Sequence, residues 1–334
     1  AEYLGTQHEV LYVTGKSALD VVPYLAKMYD EPFADSSQIP TYLVAKLASN
    51  SVRVTLSGDG GDELFGGYNR YVWATEIWRY LRRLPRPLRS VIVASMRRAP
   101  PIWWRLLENG LKSAGPKKLR YSNIDDKVQK IASIMKSQTR YDVYHALVTV
   151  WDNTENLILD AHGMGAKDQS VLIETEIEEL TDFRNWMMLR DIQTYLPDDI
   201  LCKVDRATMS VSVENRCPFL DHRVFEFASR LPIKEKIVGK SCKHILRSLL
   251  YDKVPRSLVD RPKMGFGVPL NAWLRGPLSE WADALLGEER LRNEGYFNVK
   301  MVRQAWVEQR AGQRDHSNKL WGILMFQSWL DGNR

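Results

Sequence analysis

Val52-Arg53-Val54-Thr55-Leu56-Ser57-Gly58-Asp59-Gly60-Gly61-Asp62-Glu63 is the stretch on which the reading of this 334-residue chain turns. Val52 to Leu56 alternates β-branched or aliphatic residues with polar ones, the pattern of a strand. The strand runs straight into glycines, which let a backbone approach a ligand closely, and a helix that follows would offer free N–H groups to an anion. In open α/β sheets this carboxyl edge is where ligands bind. The loop lacks the Lys-Ser/Thr pair of a Walker motif and carries Asp59, Asp62 and Glu63 instead. Carboxylates beside phosphates repel them unless a divalent cation intervenes, so the pattern fits Mg²⁺ bridging an acid and a polyphosphate. The alternative is an Asp/Gly-rich turn with its acids in water.

Upstream, Val10-Leu11-Tyr12-Val13 reads as a buried strand. Ser17 to Tyr29 reads as a helix kinked or restarted at Pro23, and Ser36 or Ser37 as the cap of a helix from Pro40 towards Asn50. Strand, helix, strand and glycine loop predict a parallel α/β arrangement. Downstream of Tyr71 the pattern becomes helical. Trp73–Leu84, Pro87–Met96 and Tyr141–Val150 are apolar-periodic, with breaks at Pro85, Pro100-Pro101 and Gly115-Pro116. Gly163–Gly165 and Lys167–Ser170 read as a loop, and the chain is helix-rich again from Asp182 to its end. Only two strands precede the helices, and two cannot bury a sheet on both faces. Either part of the sheet is missing or some helical segments are misread.

Composition sets outer limits. Hydrophobic residues make up 44% and charged residues 26%, ordinary for a globular chain. No run of about eighteen uncharged apolar residues occurs, so no membrane span is expected. Cys202, Cys217 and Cys242 have no metal-type spacing and read as free thiols of a reducing cytoplasm, or as small buried hydrophobes. The net charge of +6 is uneven: Arg79 to Arg120 holds twelve Lys or Arg against the single acid Glu108. A basic face attracts nucleic acid or acidic partners. The interleaved Leu, Ile, Val and Trp read instead as amphipathic helices with a solvated face, and no nucleic-acid motif accompanies them.

The segment Leu56 to Tyr71, with Asp62-Glu63-Leu64-Phe65-Gly66-Gly67-Tyr68-Asn69-Arg70, resembles a hallmark of the glutamine-hydrolysing asparagine synthetases. Asp30-Glu31-Pro32-Phe33-Ala34-Asp35-Ser36-Ser37 is similar to the segment that family carries just upstream. Asp205-Arg206 through Val213-Glu214-Asn215-Arg216-Cys217-Pro218-Phe219-Leu220-Asp221 resembles another signature. So do Lys243-His244-Ile245-Leu246-Arg247 and Arg261-Pro262-Lys263-Met264-Gly265-Phe266-Gly267-Val268-Pro269. The five motifs stand in the family's order, most strongly over residues 1–71 and 195–280.

The resemblance implies a mostly helical α/β fold, in which part of a Rossmann-like, adenine-nucleotide alpha-hydrolase-type parallel sheet is followed by a large helical region. Residues 1–71 would be the C-terminal part of the ATP-binding sheet. Residues 72–334 would be the helical body, with 195–280 returning to the active site. It implies that ATP adenylates a carboxylate, by default that of aspartate, releasing pyrophosphate, and that ammonia then converts the acyl-adenylate to amide and AMP. Asp62 would take Mg²⁺, and Ser57, Gly58, Gly60 and Gly61 would contact nucleotide, with Tyr68 either packing or joining them. Asp59 stands where family members often have Glu, and would serve the ammonia step with a side chain one methylene shorter. Lys243 would stabilise negative charge at the reacting phosphate. Glu214, Arg216, Lys263 and Gly265 would form the substrate loop, although Glu214 and Arg216 also read as a buried structural pair and Phe219 as core. His244 reads as a helix residue.

The family's Ser-Gly-Gly-x-Asp-Ser pyrophosphate loop and its glutaminase domain find no counterpart here, so the sequence reads as a fragment, and a glutaminase domain or chain supplying ammonia from glutamine is expected upstream. Two alternatives stay open: a catalytically incomplete structural or partner-binding module, and amidation of another carboxylate such as a sugar acid. Homodimerisation is left open as well.

Overall fold

The computed structural model describes residues 1–98, 124–151, 154–159, 182–260 and 267–333. Helix α1, Gly15–Met28, begins at a capping box in which Thr14 and Ser17 exchange side-chain and backbone hydrogen bonds of 3.2 and 3.4 Å. It continues through Pro23, where a kink was expected, and buries Val21, Val22 and Leu25. Helix α2, Gln38–Ala48, follows Ser37, whose hydroxyl makes no cap bond. Asp35 acts there instead, accepting from the Ser37 amide at 2.9 Å and its hydroxyl at 2.7 Å.

Strand β1, Val54–Leu56, leads into helix α3, Gly61–Phe65, five residues long between left-handed Gly60 and Gly66. Helices α4, Asn69–Arg83, and α5, Arg86–Arg98, part at Pro85 as the sequence predicts. Helices α6, Ile124–Met135, and α7, Arg140–Val148, come next. The Pro100-Pro101 and Gly115-Pro116 breaks, the loop at 163–170 and the latter part of the basic segment lie outside the described residues.

Helix α8, Phe183–Gln193, runs through a π-helical turn, Leu196–Leu201, into helix α9, Cys202–Met209. Strand β2, Glu214–Arg216, precedes helix α10, His222–Arg230, which Asp221 caps by accepting from the Arg223 amide at 2.9 Å. Helix α11, His244–Tyr251, contains His244 as its first residue. Two longer helices, α12, Val299–Arg310, and α13, Ser317–Gly332, complete the helix-rich end.

The fold is a mostly helical α/β arrangement with a small parallel sheet. Its pairing differs from the sequence-based expectation. The partner of β1 is β2, with Val54 opposite Glu214 and Leu56 opposite Arg216. Val10–Val13 forms no strand and is exposed, Tyr12 at 83%. Such a run fits a pleated surface only where one is available to pair with. Among the described residues the sheet has two strands, and Leu56 stays 73% exposed.

The chain forms two compact units, one from Ala1–Val72, Ser170–Leu285 and Trp321–Arg334, the other from Trp73–Gln169 and Leu286–Leu320. In the first, Leu64 and Phe65 of α3 and Ala228 of α10 are buried together, with Phe219, Leu220, Val224, Ile245 and Leu246 packed around them. Burying each large side chain contributes about 1.5–3 kcal/mol, so this cluster holds the glycine loop against three segments far away in sequence. The second unit has its own core, including the fully buried Trp306, Leu291 and Leu320. No described helix is long and apolar enough to cross a membrane.

Candidate active site

The loop that leaves β1 is fixed from below by shape. Gly60 sits at φ +84°, and a β-carbon there would lie 2.4 Å from Leu220 Cδ2. A β-carbon on Gly61 would lie 3.0 Å from the Phe219 ring, which meets Phe65 edge-on at 5.7 Å. Phe219 is half-buried against the Leu64, Phe65 and Ala228 cluster, and it is the floor of the loop. The helix that follows is short and opens with Asp62 and Glu63. Its N-terminus is not the anion site that a longer, acid-free helix would offer.

Lys243 reaches this loop from the other end of the first unit's sequence. Its Nζ stands 3.1 Å from Asp62 Oδ1, and a β-carbon on Gly61 would be 3.5 Å from it. The backbone of Lys243 is left-handed, φ +54°. For a non-glycine residue this costs about 1–3 kcal/mol and is characteristic of functional sites. Gly67 completes the arrangement. A β-carbon on it would fall 1.7 Å from Asp62 Oδ1 and 2.4 Å from Lys243 Cε. Only hydrogen leaves room for the pair.

Ser57 and Asp59 are joined to β2. The Ser57 amide donates to the Arg216 carbonyl at 2.9 Å, and its hydroxyl donates to Asp59 Oδ2 at 2.6 Å. Asn215 Nδ2 donates to the same hydroxyl at 2.9 Å, while Thr55 Oγ1 donates to Asn215 Oδ1 at 3.1 Å. The Ser57 proton is thus directed at Asp59, leaving an oxygen lone pair for a ligand. Cys217 Sγ lies 3.4 Å away, and burial raises its thiol pKa. That disfavours the reactive thiolate.

Beside the loop lies a polar network that sequence reasoning missed. Glu63 is buried, and burial raises its carboxyl pKa against the opposing 2.6 Å hydrogen bond from Tyr68. The Tyr68 hydroxyl is therefore committed to protein. Its ring meets those of Tyr71 and Tyr195 edge-on and stacks under the Arg70 guanidinium at 4.1 Å. Arg70 in turn pairs with the fully buried Asp191 at 2.7 Å, which also accepts from Tyr71. A second group joins Lys203 to Asp35 at 2.6 Å, with Asp199 3.9 Å away. Burial pushes the Asp35 carboxyl up, but Lys203 and Ser37 outweigh it and hold it below its ordinary value. Burial and then the Asp35 charge push Asp199 up to about 7. Asp35, Glu63, Tyr68, Arg70 and Tyr71 stand inside the quoted motifs, whereas Asp191, Asp199 and Lys203 stand outside them.

Four of the five segments singled out in the sequence have positions among the described residues. The loop Ser57–Asp62, Lys243 and the Phe219-Leu220 floor converge, and Asp35 meets Lys203 elsewhere in the same unit. The asparagine synthase family model matches residues 1–331. The chain belongs to the asparagine synthase family. Asparagine synthetase 1 of Bacillus subtilis is 30% identical over 331 residues, which are 98% of this chain and 48% of that protein. A Mycobacterium tuberculosis protein provisionally named glutamine-hydrolyzing asparagine synthetase is 32% identical over 330 residues, 98% of this chain and 47% of its own length. Amidase chry2 of Gibberella zeae is 29% identical over 121 residues, 34% of this chain and 18% of that one. The chain thus spans about half the length of the first two relatives. No solved structure matches it significantly.

Glu214 and Arg216 lie on a strand rather than a loop, and their 2.7 Å ion pair is solvent-exposed rather than buried. Charges left in water have no desolvation to recover, and such pairs add little. Lys263 and Gly265 lie outside the described residues. Gly58 precedes the left-handed turn at Gly60, with open space where a β-carbon would point.

Proposed function

We propose that this chain is the part of an asparagine-synthetase-type enzyme that activates a carboxylate with ATP and converts it to an amide. What supports the reading is the meeting of Asp62 and Lys243, drawn from separate family motifs, at the glycine loop after β1. The carboxylate oxygen of the acid bonds to the α-phosphorus of ATP as pyrophosphate leaves. Ammonia then bonds to the activated carbonyl carbon, loses a proton, and AMP departs. Aspartate is the proposed acid, by analogy with the named relatives. Ammonia would come from glutamine through a glutaminase domain or chain, and the three free thiols suit a reducing cytoplasm.

The residues take these roles. Gly58, Gly60 and Gly61 let the backbone lie close to the polyphosphate, and Ser57 offers an acceptor oxygen to a donor group of the nucleotide. Lys243 stabilises charge that develops on the reacting phosphate. Asp59, held by Ser57, accepts the proton released in the ammonia step. Tyr68 and Glu63 stiffen the loop from behind. No group of three or more His, Cys, Asp or Glu among the described residues could hold a metal unaided. A lone carboxylate at Asp62 fits Mg²⁺ that draws its other ligands from phosphate oxygens and water. Bound there, Mg²⁺ would neutralise the leaving pyrophosphate.

The test is release of AMP and pyrophosphate by this chain with Mg-ATP, aspartate and ammonium, against a control without aspartate. Aspartate-dependent release that is lost in D62N and K243Q is the expected result. A folded sample that yields no AMP overturns the reading for this chain and favours the second one, a catalytically silent structural module. The exposure of Val54 and Leu56 on the short sheet is the observation on that side. Turnover only with another carboxylate, such as a sugar acid, would reassign the substrate and keep the chemistry.

A further inference from the structure

We propose that Asn215 is a positioning residue for the ammonia step: through the Ser57 hydroxyl it fixes the Asp59 carboxylate that accepts the proton of the attacking ammonia. This rests on the assignment of Asp59 to that step and adds the residue that aims it. Strand pairing brings the parts together. β1 and β2 run parallel with Thr55 opposite Asn215, and side chains alternate between the two faces of a sheet. Thr55 and Asn215 therefore share one half-buried face with Ser57 and Cys217, whereas Val54, Leu56, Glu214 and Arg216 are exposed on the other. A slip of one residue in the pairing would send Asn215 to the wrong face.

The hydrogen bonds on the shared face have one consistent direction. A carboxylate only accepts, so Asp59 Oδ2 takes the Ser57 proton at 2.6 Å. Ser57 Oγ then accepts from Asn215, which turns Nδ2 towards Ser57 at 2.9 Å and Oδ1 towards the Thr55 hydroxyl at 3.1 Å. Nδ2 also donates to Cys217 Sγ at 3.4 Å. The amide is held on three sides and cannot turn over without setting two lone pairs face to face at Ser57. Among the described residues Ser57 is the side-chain partner that Asp59 has, so this relay sets the direction of its carboxylate. In the ammonia step the C–N bond forms, one proton passes from that nitrogen to Asp59, and the C–O bond to AMP breaks. The acceptor must stand within hydrogen-bond reach of that proton, and a misplacement of about an ångström costs on the order of a hundredfold.

N215D is the test, because it keeps the shape of the side chain and reverses one group: Ser57 then lies between two carboxylates with a single proton to give. Aspartate-dependent exchange of pyrophosphate into ATP reads carboxylate activation without ammonia, and amide formation reads the ammonia step. N215D keeps the exchange rate within about threefold and loses about tenfold to a hundredfold in kcat/KM for ammonium, the equivalent of one charge-assisted hydrogen bond. T55V, which frees the amide, loses about threefold in the same constant, and T55V/N215D loses no more than N215D alone. A second readout needs no turnover. D59N/N215D exchanges donor and acceptor, so the Ser57 hydroxyl again donates to one neighbour and accepts from the other. In mildly alkaline buffer N215D lowers the melting temperature by about 2–5 °C, and D59N/N215D recovers roughly half of that or more. Losses that simply add in D59N/N215D would overturn the relay. Exchange that persists while kcat/KM for ammonium in N215D stays within about twofold of the unaltered chain would overturn the ammonia role alone. A chain without exchange overturns the proposed function and this role with it, and the melting temperatures still decide whether the relay holds.

Discussion

Adding a methyl group at Gly60 and at Gly67, which flank helix α3, gives opposite outcomes. At Gly60 the backbone is left-handed, φ +84°, and the new β-carbon would stand 2.4 Å from Leu220 Cδ2 and 3.0 Å from its Cγ. The conformation costs an L-residue about 1–2 kcal/mol. Crowding the core around Leu220 adds about 1–3 kcal/mol, and the stiffer unfolded chain returns about 0.4–1 kcal/mol. The net is a loss of roughly 2–4 kcal/mol, or about 5–15 °C in Tm for a unit of this size. Gly67 is not among the residues with positive φ, and the atoms it would strike are side-chain atoms, Asp62 Oδ1 at 1.7 Å and Lys243 Cε at 2.4 Å. They can rotate aside, so G67A keeps its stability to within about 1 kcal/mol. What it loses is the seat of Asp62. Thermal unfolding by circular dichroism and Mg-ATP binding by calorimetry separate the cases. G60A melts early, whereas G67A melts normally and binds Mg-ATP at least about tenfold more weakly, the equivalent of one lost charge-assisted contact of 1.4 kcal/mol. Equal melting temperatures for the two variants would refute the reasoning, because they would mean that the loop does not rest on Leu220.

Three further outcomes follow from the polar network. D191N leaves the Arg70 guanidinium facing a neutral amide where a fully buried carboxylate stood, and should cost about 3 kcal/mol, read as a lower urea midpoint with unchanged slope. Y68F removes the 2.6 Å hydrogen bond to buried Glu63 and should cost about 1–3 kcal/mol at neutral pH, with the loss shrinking at acid pH where Glu63 is protonated. Asp199 has its carboxyl pushed up to about 7 from 3.8, so it takes up a proton on folding between those values. The stability it contributes is complete below pH 3.8 and gone above about pH 7. D199N should therefore gain on the unaltered chain as pH rises from 5 to 8 in urea unfolding, and a constant gap between the two proteins would contradict this. The groups around Asp199 are Asp35, Lys203, Arg70, Tyr29, Tyr195 and Cys202, and Asp35 works in the opposite sense, losing its contribution as pH falls through its depressed value.

The helices were legible because their signals are local. Apolar periodicity and the break at Pro85 act within a few turns, and so do the boxes of Thr14 with Ser17 and Thr139 with Asp142, which the sequence reading did not use. The sheet was half legible. Val54–Leu56 carries strand-like residues, but its partner Glu-Asn-Arg has no β-branched residue and becomes a strand only through bonds such as Glu214 N–H to Arg53 O at 2.8 Å. Val10–Val13 has the composition of a strand and no partner among the described residues, so composition misled there. At the site, Asp62 and Lys243 were both named from motifs, yet their contact joins two motifs far apart in the chain and no periodicity encodes it. Asn215 was quoted within a motif and overlooked, although it is the residue that aims the Ser57 hydroxyl.

The ion pairs that hold motif residues separate by the cost of parting them. Asp191 is fully buried and holds Arg70 and Tyr71; Lys203 is nearly buried and holds Asp35. Removing either partner strands a desolvated charge, so neither pair can open for a ligand without several kcal/mol. Asp62 and Lys243 keep roughly the same exposure on both sides of their bond, and water can solvate each when they part. A reacting site needs charges that change partners during the cycle, and this is the pair at the loop whose burial permits it. Loss of activity on mutating Asp191 or Lys203 would therefore come with loss of stability, while loss on mutating Asp62 or Lys243 would not. The stability measurement, taken beside the activity, is what assigns a motif residue to the fold or to the chemistry.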